Sequence, residues 1–329
     1  MTPPPYRRIV RPPLAVAMVA AISLLTACTP TTSSVVDDSP TMGIELSNCG
    51  VPVSISAPPE RVVTIKSTST EMLLALGLGD RIVGSAFSDG PLADDWAADA
   101  ADIPVISDFV PSQEAVLELE PDFIYGGWES NFSADGAGER NELASLGIAS
   151  YVSPAACQSA DIPGKLDFDE VFREIQEVAD IFDVDASPLI ADQRAELAAI
   201  EVDGRGLTAL WYSSGTDVPY VGAGLGAPQM VLDAVGLENI AREVEMTWTS
   251  LGWEAIIEAN PDVIVLVDAT WNTAASKVEL LESNPATAEL DAVVNERYLI
   301  VPFPAAEAGV RSVAAATSIA AQLDSLEIP

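Results

Sequence analysis

The sequence predicts an α/β fold of two similar lobes, each with a central parallel sheet, joined by a single long helix. Three observations predict it. An eleven-residue stretch occurs twice, as Glu114-Ala-Val-Leu-Glu-Leu-Glu-Pro-Asp-Phe-Ile124 and as Glu254-Ala-Ile-Ile-Glu-Ala-Asn-Pro-Asp-Val-Ile264, with six of eleven positions identical. Each copy has apolar residues at helical spacing, a proline that restricts the residue before it, and an apolar run (123–125 and 263–267) that reads as a buried strand. Strand and helix signals alternate through both halves, the pattern of a parallel sheet with helices on its faces. Between the halves, two helical segments follow one another without a strand. Two facing lobes make a cleft, and a function is to be sought there.

The elements follow from period and breakers. Arg61-Val-Val-Thr-Ile65 reads as a strand. Thr68 and Glu71 carry the spacing of a capping box, and the apolar residues 72–76 then run into Gly77, so a helix is expected here. Strands are expected from Arg81 to Gly84, at 104–106, in the first repeat copy and at 148–152, with a helix over 139–146. Residues 169–182 and 187–200 read as consecutive helices. A strand at 207–212 opens the second lobe, which continues with a helix over 229–235 stopped by Gly236 and then the second repeat copy. A strand at 297–301 and a closing helix over 312–323 complete it. A helical connection resists hinge bending, so closure on a ligand should be modest.

The first residues point to export. Arg7, Arg8 and Arg11 precede an apolar run over 14–25 that ends at Leu25-Thr26-Ala27-Cys28. Twelve residues are too few to span a bilayer, which needs ~20, so a secretory signal over residues 1–27 fits better than an anchor helix. An ordinary signal with an incidental cysteine is one reading. Leu-X-Ala-Cys, however, resembles a bacterial lipobox, and that resemblance implies that Cys28 is diacylated and becomes the new N-terminus. Thr26 departs from the usual motif. Residues 28–43, rich in Thr, Ser, Pro and Asp without apolar periodicity, should form a flexible tether. The expected domains are then a lobe over 44–186, a linking helix over 187–201 and a lobe over 202–329.

Composition excludes several functions. The chain has 15 basic and 50 acidic side chains and a net charge of −35. Loss of residues 1–27 removes three arginines, leaving a net charge of −38. Such a surface repels nucleic acid and anionic lipid, so contact with a membrane would run through the lipid anchor alone. Most acids, Asp37-Asp38 and Asp94-Asp95 among them, read as solvated exterior. With Cys28 assigned to lipid, Cys49 and Cys157 remain as an even pair in an oxidising compartment. They are expected to form a disulfide with an effect of ~2 to 4 kcal/mol; two free buried thiols are the alternative.

The order of lipobox, tether, Arg-Val-Val-Thr-Ile, then Thr-Glu-Met-Leu-Leu-Ala-Leu-Gly-Leu-Gly-Asp-Arg-Ile-Val-Gly, first repeat copy, linking helix and second copy is similar to the iron-siderophore and cobalamin type of ABC-transporter substrate-binding protein. The likeness runs from Cys28 to the C-terminus. It implies the helical-backbone architecture, a monomer, a small-molecule ligand and a partner made of an ABC permease dimer with its ATPase. In that family each lobe carries a surface glutamate that docks on permease arginines, and the matching positions here are Glu114 and Glu254. Two symmetry-related permease subunits need two matching anion contacts, one per lobe. Both acids also suit a helix N-terminus by the dipole alone.

Ligands in open α/β sheets lie beyond the carboxyl ends of the strands. The loops there hold Lys66, Ser67 and Thr68, then Trp128, Tyr212, Tyr220, Arg242, Trp248, Trp271 and Arg311, which are the candidate ligand-binding residues. Lys66 is one of three lysines and directly follows the first strand. Cations at a cleft in so acidic a protein imply a ligand with negative charge and a flat π surface. The segments Thr64-Ile-Lys-Ser, Gly126-Gly-Trp-Glu-Ser, Ala134-Asp-Gly-Ala-Gly-Glu-Arg140 and Ser153-Pro-Ala-Ala-Cys157 also resemble an actinobacterial subgroup thought to import a deazaflavin cofactor precursor. That resemblance implies a flat, phosphorylated cargo, with an anionic iron-siderophore as the other candidate.

Catalysis is not expected, and neither a cofactor nor a metal site. The chain has no histidine, which excludes Ser-His-Asp, Cys-His and HExxH constellations and the His-rich sites of zinc carriers. Gly222-Ala-Gly-Leu-Gly-Ala227 matches the loose dinucleotide pattern but lacks its βαβ context. A carboxylate-based hydrolase and a ligand-sensing lipoprotein uncoupled from transport are the alternative functions.

Overall fold

The computed structural model describes residues 43–158 and 164–328. These lie within one compact unit. Cys28, the signal segment and most of the tether fall outside the described residues.

The described chain begins with a hairpin that periodicity did not suggest, β1 (Ile44–Asn48) against β2 (Val51–Ile55). Its two turn residues, Cys49 and Gly50, have φ of 50° and 72°, the left-handed pair that matches strand twist in a two-residue hairpin. The first lobe follows as β3 (Val62–Ile65), α1 (Ser67–Ala75), β4 (Ile82–Ala86), β5 (Val105–Ser107), α2 (Gln113–Leu117), β6 (Phe123–Gly126), α3 (Arg140–Ser145) and β7 (Ala149–Val152). Its strands form a wholly parallel sheet in the order β5-β4-β3-β6-β7. β3 and β6 are buried at every position, as central strands covered on both faces must be.

Two helices, α4 (Phe168–Phe182) and α5 (Ser187–Ala198), connect the sheets. α4 starts in a capping box, with the Asp167 side chain accepting from Glu170 N and Glu170 accepting from Asp167 N. It ends at Asp183 in the left-handed conformation. Val171, Ile175, Val178, Ala179 and Phe182 form its buried stripe. On the same helix Glu174 and Glu177 accept hydrogen bonds from Tyr125 and Tyr151 of the first lobe.

The second lobe comprises β8 (Thr208–Ser214), β9 (Tyr220–Gly222), α6 (Ala227–Val235), β10 (Glu238–Asn239), β11 (Trp248–Ser250), α7 (Trp253–Ala259), β12 (Val263–Asp268), α8 (Ala274–Ser283), α9 (Asp291–Val294), β13 (Tyr298–Pro302), α10 (Phe303–Ala306) and α11 (Ser312–Asp324). The sheet order is β11-β9-β8-β12-β13, with β10 also paired to β8. Its centre is parallel, but β9 and β11 run antiparallel at one edge. The residues of β9 and β11 had read as loop, because three-residue strands are too short to show a period of two.

The repeat folds into the same unit twice. Its helices α2 and α7 lead through the left-handed Glu120 and Asn260 into Pro121 and Pro261. The following aspartate ties down the neighbouring strand in both lobes. Asp122 accepts from the backbone of Glu60 and Arg61 ahead of β3, and Asp262 from the backbone and hydroxyl of Thr208 at the start of β8. The shared Pro-Asp therefore sets the register at which the repeat's strand joins the centre of each sheet.

Candidate functional site

In each sheet the chain order reverses at one place, between β3 and β6 in the first and between β8 and β12 in the second. A crevice opens beyond the carboxyl ends of the strands at such a switch point. A cavity of about 390 Å3 lies there, lined from the first lobe by Thr68, Gly127, Trp128 and Ser153 and from the second by Ser213, Ser214, Tyr220, Trp248, Trp271, Phe303 and Glu307. Its size lies within the range of small-molecule sites.

Aromatic rings dominate the lining. Tyr220 on β9 and Trp248 on β11 stack at 5.9 Å with an interplanar angle of 14°, held there by the antiparallel pairing of their strands. Trp271 meets Phe303 edge-on at 5.6 Å. Tyr220 and Trp271 are 43% and 58% exposed, so both present ring surface that the protein itself leaves uncovered. Gly127 permits the close approach of the loop after β6 to the floor, since a Cβ there would lie 2.6 Å from Thr68 Oγ1 and 2.7 Å from Lys66 Cβ.

Two polar contacts join the lobes across this region. Trp128 Nε1 donates to Glu307 Oε1 at 2.6 Å, and Arg311 donates to Glu71 at 3.1 Å. Burial pushes the Glu307 carboxyl up to about 7, against the opposing pull of Lys66. Burial likewise raises Glu71 to about 6 despite the adjacent Arg311 guanidinium.

Lys66 is fully buried and pairs with Asp89, itself 1% exposed. Its ammonium lies 3.5 Å from the Trp128 ring centroid, 4.4 Å from that of Phe87 and 5.0 Å from that of Phe303. Lys66 and Phe87 both adopt left-handed backbone, with φ of 86° and 53°, at the ends of adjacent strands β3 and β4. Strain of this kind concentrates at ligand sites. Lys66 is also the N-cap of α1, whose first turn starts one residue before Thr68. The capping box read from Thr68 and Glu71 is therefore not formed: Thr68 is already helical, and Glu71 turns to Arg311 and the Ala93 backbone.

Of the ten ligand-binding candidates, Thr68, Trp128, Tyr220, Trp248 and Trp271 line the cavity. The other five are held elsewhere. Lys66 is sealed beneath Trp128, and Ser67 receives the Asp89 N–H. Tyr212 is 1% exposed, donating to Gly215 O and packing on Trp253. Arg242 pairs on the surface with Glu238 and Glu243. Arg311 is committed to Glu71. The expectation of an anionic ligand rested on these three cations, and each is already matched by a carboxylate. Ser153, Ser213, Ser214, Phe303 and Glu307 join the lining without having been singled out; Glu307 is one of 50 acids in the chain, and nothing in its spacing marks it.

Glu114 and Glu254 occupy the same place in the two lobes, exposed in the first turns of α2 and α7. Cys49 and Cys157 form a disulfide with a Cα–Cα distance of 5.1 Å. It links the β1–β2 turn to the loop after β7, where Asn48 also exchanges hydrogen bonds with Val152 and receives two from the buried Arg140. The glycine-rich stretch after β9 serves packing: a Cβ on Gly224 would collide with Arg242 O. Among the described residues no helix is long and apolar enough to cross a membrane.

Comparison with known proteins agrees with this architecture. Residues 62–305 match the family model described as periplasmic binding protein. The chain is 24% identical over 269 residues to the uncharacterized ABC transporter substrate-binding lipoprotein YvrC of Bacillus subtilis (strain 168), covering 79% of this chain and 78% of that protein. A periplasmic binding protein from Veillonella parvula superposes with a TM-score of 0.76 at 25% identity, over 87% of this chain and 99% of its own. The fold is shared with an ABC-type Fe3+-hydroxamate transport protein from Saccharomonospora viridis (TM-score 0.72, 24% identity, 85% and 98% coverage) and with the periplasmic heme binding protein HutB of Vibrio cholerae (0.61, 19%, 80% and 98%). The chain belongs to the periplasmic binding protein family.

Proposed function

We propose that this protein is the extracytoplasmic solute-binding component of an ABC importer. The observation that carries the proposal is the aromatic cavity at the switch points of both sheets, with Glu114 and Glu254 repeated at matching exposed positions. The solute lies between a first lobe over 44–186 and a second over 202–329, with 187–201 as the linking helix. Its flat portion stacks on the Tyr220–Trp248 pair, and the serines and Thr68 orient it by hydrogen bonds. Binding draws the lobes slightly together around the Trp128–Glu307 and Glu71–Arg311 contacts, and no bond of the solute is changed. Glu114 and Glu254 then dock on basic groups of a permease dimer served by its ATPase. Lipid on Cys28 holds the monomeric protein at the outer face of the cytoplasmic membrane.

The sequence resemblance offers ferric siderophores and phosphorylated deazaflavin precursors as solutes to test, the deazaflavin for its flat ring, although the lining holds no lysine or arginine among the described residues to meet their negative charge. A hydrolase is not favoured: the acid at the cavity, Glu307, stands without a second lining carboxylate among the described residues. The test is a thermal-shift screen of the purified protein against ferric siderophores, haem, cobalamin and deazaflavin phosphates. A ligand at 100 times its dissociation constant adds ~2.7 kcal/mol of stability. The shift should vanish in Trp248→Ala; no shift with any of them removes these solute classes.

A further inference from the structure

We infer that the cavity is built for an organic cation whose charge is spread over a flat or methylated group, rather than for an anion. The inference rests on the solute-binding reading and specifies the charge of the solute.

Five observations carry it. The lining holds five aromatic rings and the Glu307 carboxyl, and no lysine or arginine among the described residues. Aromatic faces are the negative side of the ring quadrupole, so several rings beside a carboxylate attract a cation and repel an anion. Glu307 Oε1 accepts from Trp128 Nε1, while its other oxygen meets no hydrogen-bond donor among the described residues. A positive or N–H-bearing group can satisfy it.

The cations nearby are not free to serve an anion. Lys66 and Arg311 pair with Asp89 and Glu71, each 1% exposed. A phosphate or carboxylate taking either cation would leave a buried carboxylate without its partner, which is the expensive way to break such a pair. The region also shows the favoured arrangement filled from within, since the Lys66 ammonium already sits among Trp128, Phe87 and Phe303. Finally, the net charge of −35 concentrates cations at the surface and slows the approach of anions.

The test uses three tricyclic probes of nearly equal shape: 10-methylacridinium, neutral acridine and acridine-9-carboxylate. Each is titrated calorimetrically into the full-length protein at pH 8, above the value of about 7 at which Glu307 titrates. The cation should bind at least tenfold more tightly than the carboxylate. Glu307→Gln should weaken the cation about tenfold and leave neutral acridine within twofold, and retained acridine binding shows that the variant is folded. Trp248→Ala should weaken all three. Equal or tighter binding of the carboxylate overturns the inference, as does an unchanged cation affinity in Glu307→Gln, or failure of all three probes to bind. Failure of the importer reading is separate: it is read from uptake by the Glu114→Ala/Glu254→Ala variant, whose cavity is intact.

Discussion

Replacing Lys66 by methionine tests whether this lysine is a structural ion-pair partner or a group held ready for solute. Lys66 and Asp89 are 0% and 1% exposed. Removing one member of a buried pair strands the other charge and costs about 3–5 kcal/mol, to which the lost contact with the Trp128 face contributes up to ~2. Asp89→Asn should be destabilising for the converse reason. In the double variant Lys66→Met/Asp89→Asn no charge is stranded, and the introduced amide still offers an oxygen to the Ser67 N–H that Asp89 now accepts at 3.4 Å. Stability should therefore return to within about 1 kcal/mol of the parent, a coupling of several kcal/mol.

The single variant has a pH signature. Burial already raises the Asp89 carboxyl, with Lys66 opposing it. Without Lys66 its folded-state pKa rises further above the unfolded value, so the variant gains stability relative to the parent as pH falls. The deficit should shrink by about 1.4 kcal/mol per pH unit while Asp89 takes up its proton. The assay is urea unfolding at pH 8 and pH 5, read as a shift in midpoint at constant slope. A Lys66→Met variant as stable as the parent, or a double variant whose loss is the sum of the singles, would refute the reasoning.

Other predictions follow the same physics. Burial raises the Glu174 carboxyl from 4.5 to about 7, so its protonated form is favoured on folding and stability falls as pH rises from 4.5 through 7. Glu174→Gln keeps an acceptor for Tyr125 and should remove up to about 3 kcal/mol of that decline, measured as melting temperature against pH. Reducing the Cys49–Cys157 disulfide, whose partners are 108 residues apart, should lower unfolding free energy by up to about 4–5 kcal/mol in denaturant titrations. Asp122→Ala and Asp262→Ala should each cost about 1–3 kcal/mol, and by similar amounts, because both strip acceptors from a central strand's start; a large effect in only one lobe would contradict the equivalence of the repeats.

Legibility in the sequence varied with the length scale of the signal. The repeat, the buried runs of β3, β6, β8 and β12 and the amphipathic α4 are fixed by local pattern, and the helices that were expected fall within a few residues of their bounds, whereas α8, α9 and α10 had no expected counterpart. The β1–β2 hairpin, β9 and β11 escaped because a Cys-Gly turn and three-residue strands carry little periodicity. The same scale separates the site residues. A position after a parallel strand brings a side chain to the cleft region, which placed Trp128 and Trp271 there, whereas Trp248 reaches it from the antiparallel edge strand β11. Whether a side chain then lines the cavity depends on partners far away in sequence. Asp89 draws Lys66 inward, Glu71 claims Arg311, and Glu307 reaches Trp128 across 179 positions. Charge counted along the chain suggested cations awaiting an anion, whereas charge counted in space finds each already matched.

The central claim is capture in the aromatic cleft followed by docking through two matched glutamates. It is tested most directly by measuring, for one solute found in the stability screen, both equilibrium binding and uptake into cells expressing the full chain. The account predicts that Trp248→Ala loses binding and uptake together, and that Glu114→Ala/Glu254→Ala loses uptake while binding the solute as the parent does. Unchanged binding in Trp248→Ala, or undiminished uptake in the double glutamate variant, would contradict it.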